Sequence, residues 1–292
     1  MLMVFQQLLN GALASSIYAL FAVGFAIVFG VMGVLNMAHA DFAMVAAFVA
    51  IWSVGAGWGP LAATLLAIAA TIVVALAMER FAIRPARRFG GESGVELPLI
   101  ATLGCGLVLQ NGAALLFGNK AIMFPLNLRG YLHVGGLLVS QPLLVSAGVA
   151  VALIVGLELL LLHTGFGRSM RAVAQNRGAA EIMGIDATLV TALTVALTAG
   201  LAAVAGLLVG LSYQVVSPYI GLAYTIKGLI AMIVGGVGSV SGAALGALVI
   251  GLTEAATVML WGSQLRDFSV FVVLLAVLLL RPGGLLKNAA RG

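Results

Sequence analysis

The chain has 292 residues, 63% of them hydrophobic and only 8% charged, against roughly a quarter charged in an ordinary soluble domain. That balance excludes a soluble globular protein and points to a membrane. Fourteen Lys and Arg against nine Asp and Glu give a net charge of +5, but the basic residues punctuate long apolar runs, which argues against DNA or RNA binding.

The first Lys or Arg is Arg80, so the opening apolar run lacks the positive n-region of a secretory signal and reads as a retained span. A bilayer core of ~30 Å needs about 20 mostly apolar residues per helix. Runs of that kind fall at 5–30, 38–54, 60–79, 97–117, 142–162, 189–212, 222–240, 241–260 and 267–281. The expected fold is all-α: a polytopic transmembrane bundle of about eight or nine spans, with broken or re-entrant helices, forming a single domain over residues 1–292. Gly235, Gly236, Gly238 and Gly242 interrupt the pair at 222–260, where short or re-entrant pieces are expected. Gly206 with Gly210, and Gly242 with Gly246, have the four-residue spacing of close helix packing. Cys105, the one cysteine, lies within an apolar stretch and reads as a small hydrophobe; it can form no intrachain disulfide. No repeat with a solenoid period is present.

Cytoplasmic loops retain Lys and Arg. Arg80, Arg84, Arg87 and Arg88 flank one loop, Arg168, Arg171 and Arg177 a second, and Arg281, Lys287 and Arg291 the tail, so these three segments are expected in the cytoplasm. Lys120, Arg129 and Arg266 fall in the alternate loops, with Lys227 near an outer helix end and able to snorkel outward. Counting back three spans from Arg80 places the N-terminus outside.

An ionisable group at membrane depth costs at least ~2.5 kcal/mol on insertion scales, so each needs a partner, a cavity or an interface. Asn36, His39 and Asp41 lie between the first two runs, as a hinge facing a transport path or as a helix-capping turn. A turn there is expected beside the Gly-rich 235–246 segment, giving Asn36, His39, Asp41, Gly235, Gly236, Gly238, Ser239 and Glu254 as candidate path residues. For Glu254 a buried, hydrogen-bonded structural carboxyl is the competing reading. Glu158 sits a turn from the inner end of its span and reads as interfacial. Catalytic and metal constellations are poor. His39, His133 and His163 are scattered, there is no Gly-x-Ser-x-Gly elbow, and the dipeptide Gly-Lys is absent, so the chain carries no Gly-x-x-x-x-Gly-Lys phosphate loop.

The strongest local signal lies in the loop 164–188. From Arg168 to Met183 it is rich in Ala and free of Pro, predicting one helix that ends at Gly184, with Asp186 capping the next span. Its composition fits an interfacial helix on the inner leaflet or a plug for a groove on a partner protein.

Here the sequence resembles the permease subunits of ABC importers for branched-chain amino acids, the smaller of that system's two membrane proteins. The resemblance covers nearly the whole chain. It rests on Gly167-Arg-Ser-Met-Arg-Ala-Val-Ala-Gln-Asn176, Ala179-Ala-Glu-Ile-Met-Gly-Ile185 and Leu35-Asn-Met-Ala-His-Ala-Asp-Phe42. Further matches are Ser217-Pro-Tyr-Ile-Gly221, Gly235-Gly-Val-Gly-Ser-Val-Ser-Gly242 with its continuation to Gly246, and Arg281-Pro-Gly-Gly-Leu285. Ala40 stands where the family usually has Gly, which would stiffen the hinge; Gly178 replaces a longer side chain, which would weaken the surface helix.

The resemblance implies a permease working by alternating access in the inner membrane, in a dimer with a second permease. It also implies two ATPase subunits that bind ATP and Mg, so this chain needs no cofactor of its own, and an external solute-binding protein. The 164–188 loop would hold the coupling helix, with Arg168, Arg171, Gln175, Asn176, Ala179, Ala180, Glu181 and Gly184 meeting the ATPase. Urea, short amides or aromatic acids are alternative cargo. An ion-coupled secondary transporter using Asp41 or Glu254 is a different class, and a membrane enzyme lacks a converging reactive set.

Overall fold

Every one of the nine apolar runs folds as a helix, yet two of these helices are too short to cross a bilayer. The computed structural model describes residues 2–89, 96–126, 128 and 130–286. Arg129, Lys287 and Arg291, used above for orientation, lie outside the described residues. In chain order the long helices are α1 (Leu2–Met32), α2 (Asp41–Gly55) and α3 (Pro60–Met78), the last passing through a π-helical turn, Glu79–Ile83, into α4 (Arg84–Phe89). There follow α5 (Glu96–Phe117), α6 (Gln141–His163), the short α7 (Gly165–Gln175) and α8 (Arg177–Ile182), and α9 (Ala187–Tyr213). The chain ends with α10 (Ile220–Gly235), α11 (Val240–Trp261) and α12 (Arg266–Leu280). The π turn has a local cause: Pro85 has no N–H to offer the carbonyl a turn behind it, so the helix must change register.

Among the described residues seven helices are long and apolar enough to span, and two shorter apolar helices, α2 and α10, stand beside them; the expected count of about eight or nine spans is not confirmed by length and composition. At 1.5 Å rise per residue, the 15-residue α2 and 16-residue α10 reach only about 22 and 24 Å. Non-helical residues 33–40 lead into α2 and 214–219 into α10.

Helix α1 is the centre of the bundle, packed by α6, α9, α10 and α11. Residues 17–28 of α1 are buried without exception, so this segment faces protein on all sides. Small residues let backbones approach. Gly206 of α9 lies on the Ala43 backbone of α2, Gly246 of α11 on Ala231 of α10, and Gly11 of α1 on Gly251 of α11. The two glycine pairs singled out by spacing thus sit at contacts, Gly210 against the Phe124 ring and Gly242 against Gly235.

The two ends of the bundle differ. At one, Gln6 donates to the Leu138 carbonyl at 2.7 Å, tying the start of α1 to a hairpin of β2 (Tyr131–Val134) and β3 (Leu137–Ser140). Gly135 and Gly136, both at positive φ, make its turn. At the same end β1 (Ile122–Met123) pairs antiparallel with β4 (Val215–Val216) just ahead of α10. At the opposite, basic end lie Arg80 to Arg88, α7, α8, the α10–α11 turn and Arg281.

Candidate functional site

Asp41 opens α2 near mid-depth, beside Gly106 at the midpoint of the 22-residue α5. Its carboxylate accepts a hydrogen bond from Gln110 Nε2 at 2.9 Å. A Cβ at Gly106 or at Gly221 would overlap a carboxylate oxygen, so α5 and α10 both present bare backbone to it. Because α2 runs from Asp41 toward the hairpin end, where Phe48 meets Phe117 at 4.7 Å, and α10 runs from Gly221 toward the basic end, the two half-helices meet N-terminus to N-terminus. Two positive helix ends therefore flank one buried carboxyl.

The turn before α2 is built from its own polar groups. Asn36 Oδ1 accepts from Ala38 N at 3.1 Å, and Met37 N donates to Thr102 Oγ1 of α5 at 3.1 Å. Of the two residues read as satisfying the turn's free amides, Asn36 does so, whereas Asp41 makes no capping bond to α2, and the residue before it, Ala40, has no side chain able to cap. Ala40 lies in the right-handed helical region at φ −78°, so alanine costs the turn no strain there. His39 is fully buried against Phe25 and Phe42, and among the described residues both ring nitrogens lack a hydrogen-bond partner. Gly24 makes room for it, since a Cβ there would fall on the imidazole.

The expected juxtaposition of this turn with the 235–246 segment is not what the structure has. Asp41 faces Gly221, and Gly235 is fourteen residues further along α10, about 21 Å away. Gly235, Gly236 and Gly238 instead form the tight α10–α11 corner, where Gly236 at φ +119° could carry no ordinary side chain. Ser239 caps α11 by accepting from Gly242 N at 3.0 Å. The chain end is zipped on alongside: Leu285 N donates to Val234 O at 2.8 Å and Leu286 N to Gly235 O at 3.0 Å.

Glu254 of α11 is buried and carries most of the charge pairing of the bundle. Lys227 Nζ lies 2.5 Å from Oε1, while Arg266 approaches Oε2 through Nη2 at 2.7 Å and Nε at 2.9 Å. Tyr18 donates its hydroxyl to Oε2 at 2.9 Å and accepts from Arg266 Nη2 at 2.8 Å. Lys227 does not snorkel outward. Glu254 holds it inward with 14% of its side chain exposed, and Asp267 pairs with it at 3.1 Å. Arg266, the first residue of α12, likewise turns in. Beside these groups is a cavity of about 180 Å³ lined by Tyr18, Tyr213, Tyr224, Lys227, Arg266, Val209, Ala223 and Ile220. Ile220 precedes the Gly221 that touches Asp41, so the cavity adjoins the half-helix junction.

At the basic end the predicted single helix is two, a correction with a local cause. Asn176 adopts φ −157° and ψ 107°, ends α7, and caps α8 by accepting from Ala179 N at 3.0 Å. Thr164 caps α7, Arg177 pairs with Glu181 at 3.1 Å, Gly184 closes the segment at φ +84°, and Asp186 caps α9 through Thr188 N and Leu189 N. The residues assigned here to partner contact divide. Arg168, Gln175, Ala179, Glu181 and Gly184 are exposed, Ala180 is buried, and the Arg171 guanidinium donates to the Leu161 carbonyl of α6. Ile182 and Met183 protrude at the end of α8. Gly178 has open space, since a Cβ would meet only Asn176 Oδ1 at 3.6 Å.

Sequence reasoning missed Tyr18, Lys227, Arg266 and Gln110 as partners of the buried carboxyls, because such pairs lie up to 236 residues apart. Gly106 and Gly221 carried a signal, being glycines inside helical runs. Comparison with known proteins identifies the family. The family described as branched-chain amino acid transport system / permease component matches residues 7–280. The permease protein BraD of the high-affinity branched-chain amino acid transport system of Pseudomonas aeruginosa is 36% identical over 296 residues, covering 96% of this chain and 95% of the relative. Its counterpart LivH of Escherichia coli K12 is 32% identical over 295 residues, 96% and 94% of the two chains. A probable LivH of Methanocaldococcus jannaschii is 29% identical over 301 residues, 96% and 92% of the two. This chain therefore belongs to the family of branched-chain amino acid transport permeases.

Proposed function

We propose that this permease lines the translocation path of an ATP-driven importer for branched-chain amino acids. The observation that carries the reading is the meeting of α2 and α10, N-end to N-end, at buried Asp41 beside the cavity at Ile220. Interrupted helices that face each other give polar groups a place at mid-depth without exposing backbone to lipid. The cavity wall of Val209, Ala223, Ile220 and three tyrosines suits an aliphatic side chain, while Lys227 and Arg266 offer positive charge to a carboxylate. Asp41 suits the ammonium group. The 235–246 corner then serves as the packed inner end of the route.

The same reading puts the basic end in the cytoplasm, the N-terminus outside, and the assembly in the inner membrane. Two ATPase subunits bind ATP and Mg beneath a pair of permeases, an external solute-binding protein docks at the hairpin end, and α7–α8 transmit ATPase closure to α6 and α9. Exposed Glu181, Ile182 and Met183 provide the contact surface, and the Arg171–Leu161 bond fixes α7 on α6. Alternating access follows from ligands that favour one of two global states.

Asp41→Asn tests the path. In proteoliposomes holding the assembled importer, leucine uptake falls while expression and basal ATP hydrolysis stay normal. Unchanged uptake would remove Asp41 from the path.

A further inference from the structure

At the basic end, α3, its π turn and α4 pack beside α8 and the start of α9 and enclose a cavity of about 270 Å³. Arg84, Arg87, Arg88 and Arg177 line it, with Glu79 the one carboxylate and Thr188 and Thr191 the hydroxyls. Among the described residues the positive charge is not balanced from within. Arg177 is shared with Glu181, and Glu79 can answer one more arginine. Arg84 and Arg88 enter no ion pair among the described residues. Guanidinium groups gathered around a concave site recognise phosphate oxygens, which they bind in a bidentate fork.

The surroundings say where that phosphate comes from. Leu61, Leu65 and Val73 of α3 and Phe81 of its π turn form an exposed apolar stripe, with 74%, 59%, 65% and 80% exposure. The opposite face, Ala63, Ala67, Thr71 and Ala75, is buried in the bundle. The stripe is an exposed apolar surface that leads into the arginine cluster. A second hollow on the same helix, lined by Arg80, Arg84, Pro85, Arg88 and the 84% exposed Phe89, continues it. The 30 residues from Pro60 to Phe89 extend about 45 Å, beyond a ~30 Å hydrocarbon core, so the arginines lie at headgroup level.

We propose that this cleft binds the phosphate headgroup of an anionic phospholipid, whose acyl chains lie along the α3 stripe. Such a lipid joins α3–α4 to α8–α9, and so braces the segment that follows α7. Basic pockets between transmembrane helices on the cytoplasmic side are suited to anionic headgroups.

The test uses the full-length protein in detergent, incubated with phosphatidylglycerol, phosphatidylcholine or inorganic phosphate, with bound ligand counted by native mass spectrometry and unfolding followed by heating. Wild type retains phosphatidylglycerol in preference to phosphatidylcholine and is stabilised by it. Arg84→Gln with Arg88→Gln weakens retention by about fivefold per charge removed, about 25-fold together. Arg84→Lys with Arg88→Lys keeps the charge and retains most of the binding, which separates lost recognition from lost folding. Equal retention by wild type and the glutamine pair overturns the proposal. Equal stabilisation by inorganic phosphate alone overturns the lipid assignment. Release of ATPase subunits by the glutamine pair, with lipid retention unchanged, would assign the arginines to a protein contact instead.

Discussion

Replacing Glu254 with Gln removes the one negative charge that holds Lys227 and Arg266 inward, while keeping an acceptor for the Tyr18 hydroxyl. Glu254 has 3% of its side chain exposed and Lys227 14%, so Lys227 is left in a poorly solvated position with only the 75% exposed Asp267 to answer it. Breaking a buried pair costs about 3–5 kcal/mol. Arg266 keeps 37% exposure and can rehydrate, which places the expected loss near the lower limit, about 3 kcal/mol. Lys227→Met alone strands part of the carboxylate charge, although Arg266 remains. The double variant removes both charges of the closest pair and is expected to recover about 2 kcal/mol of the summed losses in a double-mutant cycle. Reversible unfolding in mixed detergent micelles, followed by tyrosine fluorescence and circular dichroism, measures all four corners. A single-variant loss below about 1 kcal/mol, or losses that simply add, would refute the view that the pair acts as a buried unit. Uptake by the double variant then tells whether the cluster only braces α10, α11 and α12 or also meets the solute.

Gly221→Ala drives a Cβ onto the Asp41 carboxylate and is expected to cost about 1–3 kcal/mol with loss of uptake; Gly200→Ala, whose Cβ meets only Ile72 at 3.7 Å, is the tolerated control in the same unfolding assay. Met183→Asp with Glu181→Ala alters the exposed end of α8 without touching the Arg171–Leu161 bond, and leaves ATP hydrolysis uncoupled from uptake in the assembled importer; normal uptake would refute the coupling assignment. Gly178→Ala adds helix propensity in open space and slows amide exchange in α8, by up to about 1 kcal/mol of local stability. In a Cys105→Ala background, Glu181→Cys is labelled by an impermeant reagent only after permeabilisation and Lys120→Cys in intact cells; the reverse pattern inverts the orientation.

The helices were legible because an apolar run long enough for a bilayer has few other ways to satisfy its backbone. What hydropathy could not resolve was where a crossing is helical. The run 222–240 contains the whole glycine corner, which local φ values, not hydropathy, separate from α10. Asn176 carried a readable signal of a break: an Asn followed by Arg177 and Gly178 favours a new cap over a continuous helix. At the site, the residue types Asp41 and Glu254 were readable as costly, but their partners were not. Gln110 is 69 residues from Asp41, Lys227 is 27 from Glu254, and only packing brings them together.

The non-helical segments ahead of α2 and α10 explain why so many polar groups lie buried inside the bundle. Residues 33–40 free several backbone amides, and these are answered inside the protein by Asn36 and Thr102. His39 is the exception, with two unpaired nitrogens in an aromatic slot, a burial worth about 1–3 kcal/mol of lost solvation. That energy is tolerated in a turn fixed on both sides, by Gly24 of α1 and by Asp41 at the start of α2. Elsewhere the costly groups are already partnered by the chain: Asp41 by Gln110, Glu254 by Lys227, Arg266 and Tyr18. On the path proposed above, a zwitterionic solute entering beside them would exchange one set of polar contacts for another and gain little net affinity. Weak net binding is what a route needs, because a solute held tightly at mid-depth would have to be released against that affinity in every cycle.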